Sequence, residues 1–202
     1  CYENRGEYDK QMSAKYHKDE KYIAKNRQLK EQKEAGVLTD TYTGQTFSRN
    51  AKTDLDHIIS AKNIHDDPGR CLARLSGIDI ANIDENLCAT DRSINRSKKA
   101  DSITDFSIRL EANRFARNER LEVLKNRGSL TDKEQKELNK LEKLNAVDIG
   151  KMKRAENNAQ RTIETKIAKQ YYLIDPRFRN DVMIAAGKRG VQLGVRQALG
   201  FC

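Results

Sequence analysis

The stretch DLDHII, residues 54–59, places a carboxylate and an imidazole side by side at Asp56 and His57. The stretch is a short apolar strand pattern interrupted by three polar residues, and by itself the pair fits an ordinary strand of the core. Successive residues of a regular strand face opposite sides of the sheet. If both side chains enter one pocket, the strand must therefore bulge, twist or end at this pair.

A second strand and a helix are predicted in NLCATDRSINRSKKA, residues 86–100. The segment NLCATD has the length and composition of a brief strand. Thr90 or Asp91 can then cap a helix that begins near Arg92, because both side chains accept hydrogen bonds from backbone N–H groups. The order strand, connection, strand, helix follows from these local signals.

The predicted helix carries two residues that extend the pattern begun by Asp56 and His57. Asn95 and Lys98 are three positions apart, so they share one face of the helix. A β-hairpin packed on that face would bring Asp56, His57 and Asn95 into one pocket. Asn86 begins the second predicted strand, and the ordered set is more specific than any of its members.

This order resembles the HNH, or ββα-metal, endonuclease family, and it is most similar to the HNH domain of RNA-guided CRISPR effector nucleases. The matching segments are TYTGQTF for the preceding strand and turn, LDHIIS for the first motif, DENLCATD for the central asparagine segment and RSINRSKKA for the metal-binding helix. The resemblance covers about residues 37–105 and does not extend to a guide-binding domain, so guide-dependent cleavage is not implied. CLARLSGIDIAN, residues 71–82, is an insertion relative to compact members of the family, and its role is open.

The resemblance implies a role for each residue of the set. Asp56 and Asn95 would supply oxygen ligands to one divalent cation, and His57 would be the general base that activates water, leaving a 5′ phosphate. Mg²⁺ is the expected cation, with Mn²⁺ as a substitute, because hard cations prefer carboxylate and carbonyl oxygens. Lys98 would neutralise a phosphate, and Asn86 would hold the loop that orients His57 by bonding to its backbone.

Several of these assignments have alternatives that the sequence leaves open. Asn86 fits a simple turn before a strand equally well, and Lys98 fits a solvated helix face. His65, in NIHDDPG, is expected on the surface of a loop, and His17 has no chemical neighbours at a suggestive spacing. At the level of function, the alternatives are a non-catalytic nucleic-acid-binding or assembly protein on an HNH-like scaffold, and a metal-independent ribonuclease.

The overall charge favours a polyanionic partner. The chain of 202 residues has a formal net charge of +9, and an excess of Lys and Arg on this scale binds polyanions by counterion release. DNA is the expected partner and RNA a less favoured one. An activating or partner protein and the oligomeric state are left open by the sequence.

Three segments are predicted, which together give an α+β fold. A basic N-terminal helix occupies residues 1–36, the small ββα-metal (HNH) core occupies 37–107, and a predominantly helical region occupies 108–202. Within the last segment, RGSL at 127–130 is a break, Thr131 and Glu134 have the spacing of a capping box, and Pro176 ends a helix. Residues 181–202 have the small and apolar residues of a packing helix.

The remaining patterns exclude some classes of protein. No run of 18 or more apolar residues occurs, so a membrane-spanning segment is not expected within this chain. The four cysteines have neither CxxC nor CxxH spacing, which argues against a structural zinc site. Without a signal-peptide pattern, a reducing, cytoplasmic location is the expectation.

Overall fold

A computed structural model describes residues 6–177 and 180 of the chain. Their fold combines many helices with one two-stranded antiparallel sheet, so the predicted α+β class is confirmed. The strands are β1 (Thr53–His57) and β2 (Leu87–Asp91). The helices are α1 (Lys10–Lys18), α2 (Glu20–Glu34), α3 (Ala61–Asp66), α4 (Pro68–Leu72), α5 (Gly77–Ala81), α6 (Arg92–Lys98), α7 (Ile103–Ala112), α8 (Arg114–Lys125), α9 (Asp132–Asn145) and α10 (Ile149–Ile174).

The sheet has a continuous register. Thr53 lies opposite Asp91 at one end and His57 lies opposite Leu87 at the other, and each residue between them has a single partner. The irregularity predicted at the Asp-His pair is therefore a strand end, because β1 stops at His57. The turn predicted before the hairpin is also present, since Gly44 has φ +75° within the bridge that joins Thr39 and Thr46.

Helix α6 follows β2 directly and packs on both strands. Asp91 is its N-cap and accepts a hydrogen bond from the backbone N–H of Ser93 at 2.7 Å, which confirms the predicted cap. Ile94 is fully buried beneath the helix. The hairpin and α6 together position the face of the helix that carries Asn95 and Lys98.

Two hydrophobic clusters hold this unit against the rest of the described chain. The first joins the hairpin and α6 to α7 and α10 and includes Tyr42, Ile94, Phe106 and Met152. The second joins α1 to α3, α5 and α10 and includes Tyr16, Ile64, Ile80 and Ile163. Residues from all three predicted segments therefore contribute to shared hydrophobic cores.

The N-terminal helix predicted as one element is two helices in the structure. The helix is interrupted at Asp19, whose backbone is extended with ψ 142°. Its side chain accepts a hydrogen bond from the backbone N–H of Lys21 at 3.1 Å. An aspartate offers backbone donors an alternative to helical bonding, so it ends α1 and caps α2. Residues 1–5 of the predicted helix lie outside the described residues.

The segment between the two strands is more helical than predicted. The turn signal DDPG and two short apolar pieces in residues 61–85 predict a loop with one short helix, whereas the structure has α3, α4, α5 and a 3₁₀ turn at Asp84–Asn86. Ser60, Asp67 and Ser76 each cap one of the three helices. Short capped helices of this kind have too few residues to show a clear hydrophobic period.

In the C-terminal half, the predicted helix boundaries agree with the structure. The chain is not helical between the end of α8 and the start of α9, and the capping box of Thr131 and Glu134 is formed. Helix α10 ends at Ile174, before Pro176. The packing helix predicted over residues 181–202 lies outside the described residues. Among those described, no helix combines the length and apolar composition that crossing a lipid bilayer requires.

Candidate active site

A surface cavity of about 240 Å³ lies beside the end of β1. Asp56, His57 and Asn95 all line it, although Asn95 belongs to a different element from the other two. Lys99 adds positive charge to its wall, whereas Lys62, which also lines the cavity, forms an ion pair with Asp66 at 2.7 Å. The structure thus brings together the three residues to which the sequence assigned the metal ligands and the base.

The Asp56 carboxylate is buried, with 6% of the residue exposed, and is held by two donors. The hydroxyl of Tyr42 donates to its Oδ2 at 2.7 Å, and the Nζ of Lys98 lies 3.0 Å from Oδ2 and 3.3 Å from Oδ1. Burial raises the pKa of Asp56, while Lys98 and Tyr42 act in the opposite direction. A carboxylate has about four lone-pair positions, so these contacts leave room for one further ligand.

Lys98 is fully buried and does not lie on the solvated face of α6. Besides its contact with Asp56, its Nζ donates to the backbone carbonyl of His57 at 3.1 Å. The ammonium group thus connects two consecutive residues at the end of β1. This buried position does not agree with the predicted contact between Lys98 and a substrate phosphate. The next residue, Lys99, caps the C-terminus of α6, is exposed and lines the cavity.

The His57 ring is equally buried, with 6% of the residue exposed, and its hydrogen bond defines its protonation. Nε2 lies 2.8 Å from Oδ1 of Asn82. The Nδ2 of Asn82 donates to the carbonyl of Tyr16 at 3.0 Å and to Oδ1 of Asp19 at 3.1 Å, which fixes the orientation of the amide. An amide oxygen only accepts, so Nε2 of His57 carries the proton and Nδ1 is the nitrogen that can take one up.

Aromatic rings enclose the same imidazole. The Tyr22 ring stacks on it with centroids 5.3 Å apart, and the His17 ring meets it edge-on at 5.5 Å. Burial lowers the pKa of His57 to about 4, although the hydrogen bond with Asn82 acts in the opposite direction. The ring is therefore neutral at physiological pH, which is the form that can accept a proton.

Asn95 points part of its amide toward a different carboxylate. Its Nδ2 donates to Oδ2 of Asp54 at 3.2 Å, and the other oxygen of Asp54 accepts from Nε of Arg92 at 2.9 Å. With its nitrogen used in this way, the amide keeps its carbonyl oxygen as a ligand atom. Asp56 and Asn95 share the cavity without a direct hydrogen bond between them among the described contacts.

Asn86 is fully buried and holds the loop that follows His57. Its Oδ1 accepts from the backbone N–H of Ile59 at 2.8 Å, and its Nδ2 donates to the carbonyls of Ile59 and Ala81 at 3.1 and 2.9 Å. Its own carbonyl accepts from the backbone N–H of Ile58 at 2.9 Å. The predicted hydrogen bonding of Asn86 to the loop backbone is confirmed; a part in catalysis stays a prediction.

Four residues around the site were not predicted, namely His17, Tyr22, Tyr42 and Asn82. Asn82 is the last residue of the insertion CLARLSGIDIAN, so the role left open for that segment includes positioning His57. No local signal indicates His17 or Tyr22, because they belong to helices remote in sequence. His65, expected on the surface, is instead buried in α3 and within hydrogen-bonding distance of the Tyr16 hydroxyl at 3.1 Å, outside the cavity.

The oxygen atoms in the cavity suit a hard cation in kind and in number. Mg²⁺ commonly uses one or two protein oxygens and completes its coordination with water and phosphate. Asp56 and Asn95 can provide such a pair. Among the described residues, no group of three or more His, Cys, Asp or Glu side chains is arranged to hold a metal, so a site built entirely from such ligands is not found there.

No family model matches this chain, and no curated protein or solved structure matches it. The similarity to HNH nucleases therefore rests on the order of its motifs. Geometry adds one observation to that order, which is that Asp56, His57 and Asn95 border a single cavity.

Proposed function

We propose that this chain is a metal-dependent endonuclease of the HNH type, which hydrolyses phosphodiester bonds in DNA. The observation that carries the proposal is the cavity shared by Asp56, His57 and Asn95. The order of elements supports it, because an antiparallel hairpin followed at once by α6 is the order that the family's ββα core requires. That β1, β2 and α6 form the ββα core of an HNH nuclease is part of the same proposal.

His57 is the general base in this proposal. Asn82 retains the proton on Nε2, so a water molecule in the cavity would transfer its proton to Nδ1 as it attacks phosphorus. A pKa of about 4 makes the free imidazole a weak base. The negative charge of a phosphodiester in the cavity favours the protonated ring and brings its pKa closer to the operating range.

Asp56 and Asn95 are the proposed ligands of one Mg²⁺, for which Mn²⁺ can substitute. When bound, such a cation supplies stabilisation of the negative charge that develops on the phosphoryl group and the leaving oxygen. Lys98 and Tyr42 orient the Asp56 carboxylate. Lys98 is thus proposed as a positioning residue, and the exposed Lys99 takes over the contact with phosphate.

Charge favours a nucleic acid as the substrate class, and the resemblance to HNH endonucleases favours DNA within that class. The net charge of +9 supports binding to nucleic acid, and Lys99 places on the cavity wall a cation that has no ion pair among the described residues. Contacts of such cations with phosphate fix a backbone in place without selecting a base sequence.

Nicking of supercoiled plasmid tests the proposal. Wild-type protein is incubated with Mg²⁺, Mn²⁺ or EDTA, beside His57→Ala and beside Asp132→Asn as a control. Asp132 is an exposed carboxylate of α9 outside the cavity. We expect metal-dependent nicking that His57→Ala lowers by about 10²-fold or more, since removal of a general base costs that much. The control should nick at the wild-type rate.

The other outcomes separate the alternatives. Plasmid nicking that persists in EDTA or in His57→Ala contradicts the proposed site. RNA cleavage that persists in EDTA identifies a metal-independent ribonuclease instead. DNA binding without cleavage under any metal favours the non-catalytic nucleic-acid-binding protein. A thermal unfolding curve for each variant shows whether a loss of activity comes from a loss of fold.

A further inference from the structure

A second and larger cavity, of about 720 Å³, lies between α6 and the helices α7, α8 and α9. Seven of its fifteen lining residues are Lys or Arg, and none of the fifteen is acidic. We call it the basic cavity. Its cationic residues are Arg96, Lys99, Arg109, Arg117, Arg120, Lys136 and Lys140.

Three of these cations are already engaged within the protein. Arg109 pairs with Asp101, Arg120 forms a bidentate pair with Glu137 at 2.9 and 2.8 Å, and Arg117 donates to the carbonyl of Leu110 at 3.0 Å. These contacts fix the arginines in the wall of the cavity.

The other four cations carry charge that the described residues do not balance. Arg96, Lys99, Lys136 and Lys140 are exposed, and within residues 6–177 they form no ion pair. Lys136 and Lys140 lie one turn apart on α9 and face the same way. A concave surface with several unbalanced cations attracts a polyanion more strongly than the same charges on a convex one.

Lys99 connects the basic cavity to the candidate active site. It lines both cavities. Its backbone has φ +58°, in the left-handed region that usually favours glycine. A lysine thus occupies, in a conformation that would suit glycine better, a position that borders both cavities.

We propose that the basic cavity binds the phosphodiester backbone of the nucleic-acid strand cleaved in the candidate active site, with the strand passing Lys99 between the two. This inference rests on the proposed function. An acidic peptide would satisfy the charges of the basic cavity equally well, but it would have no reason to continue past Lys99 to the cavity that contains Asp56, His57 and Asn95.

Binding measured without cleavage tests the inference. A short fluorescein-labelled DNA duplex, its single strand and the matching RNA strand are titrated with the full chain in EDTA, and binding is followed by fluorescence anisotropy at several salt concentrations. The variant is Lys136→Gln with Lys140→Gln. The matched control is Lys153→Gln with Lys166→Gln, which removes the same charge from exposed positions of α10 outside both cavities.

We expect the Lys136/Lys140 variant to bind DNA about tenfold or more weakly than the control variant. The slope of log K against log salt should fall by about two, because each lost duplex phosphate contact removes about 0.9 from it. An equal loss in both double variants, no loss in either, or no binding by the wild-type chain would overturn the inference. Competition by poly-glutamate as effective as that by unlabelled DNA of the same charge would also overturn it.

The two proposals fail in distinguishable ways. If the Lys136/Lys140 variant loses binding and the wild-type chain never nicks DNA, the basic cavity stands as a nucleic-acid site and the nuclease proposal fails. If the wild-type chain nicks DNA and the Lys136/Lys140 variant binds as the control does, only the inference about the basic cavity fails. The single-stranded and RNA arms identify which nucleic acid the cavity prefers.

Discussion

The neighbouring residues Asp56 and His57 of β1 are surrounded by side chains of opposite character. Asp56 and His57 are equally buried, yet Asp56 is held by the cation Lys98 and the Tyr42 hydroxyl, whereas His57 is held by the neutral amide of Asn82 and the ring of Tyr22. Burial disfavours the charged form of both, raising the pKa of Asp56 and lowering that of His57. The surroundings of Asp56 therefore include a charged group that stabilises the carboxylate, whereas the surroundings of His57 are neutral and favour the uncharged ring.

This difference fits the roles proposed for the two residues. A ligand for a cation needs negative charge, and the buried ammonium of Lys98 helps Asp56 to keep it. A general base must begin uncharged, and a neutral surrounding keeps His57 in that form. The contacts also have different origins, since α6 supplies Lys98 on one face, while α1 and α2 supply His17 and Tyr22 on the other.

The largest effect is expected from removing the charged group beside Asp56. Lys98→Met leaves the Asp56 carboxylate buried without its cation, which should lower the free energy of unfolding by about 3–5 kcal/mol in urea denaturation. Adding Asp56→Leu should recover much of this loss, because an apolar pair replaces the ionic one. A Lys98→Met protein as stable as the wild type would contradict this description of the surroundings of Asp56.

Protonation of His57 is expected to have the next largest effect. The pKa is about 4 in the folded protein and 6.5 when unperturbed, so the unfolded chain takes up the proton first as the pH falls. The contribution of His57 to the free energy of unfolding is therefore fully present above pH 6.5 and is lost as the pH falls from 6.5 to 4. The total loss is about 3 kcal/mol.

His57→Gln provides the comparison, because it keeps a group that can donate to Asn82 and removes the titration. The difference in unfolding free energy between wild type and His57→Gln should change across this pH range, while the contributions of carboxylates cancel. Parallel curves would show that the imidazole is not held in its neutral form.

A smaller effect is expected from Asn82, which orients the base. Asn82→Ala leaves Nε2 of His57 without its hydrogen-bond partner and removes one of the two donors to Oδ1 of Asp19, which should cost about 1–3 kcal/mol of unfolding free energy. Because this bond raises the pKa of His57, its loss should lower that pKa further, as followed by NMR titration of the ring. Asn139→Ala, at an exposed position of α9, serves as the control. An unchanged titration in Asn82→Ala would rule out the orienting role.

Much of the hairpin and α6 could be predicted because their signals are local. The strand pattern of DLDHII, the cap at Asp91 and the shared face of Asn95 and Lys98 each depend on residues only a few positions apart. The direction of Lys98 could not be predicted, because helix periodicity assigns a residue to a face without showing whether that face meets solvent or a buried carboxylate. The contact of Asn82 with His57 depends on how an insertion of short helices folds back.

The break between α1 and α2 determines how short a fragment of this chain can be if His57 is to keep its observed hydrogen bond. Oδ1 of Asp19 accepts hydrogen bonds both from the backbone N–H of Lys21, which starts α2, and from the amide of Asn82, which orients His57. The segment 37–107 would contain every residue of the motif and still lose this support, together with the rings of His17 and Tyr22. The shortest fragment that retains the orientation of the His57 ring therefore begins before His17, within the basic N-terminal segment.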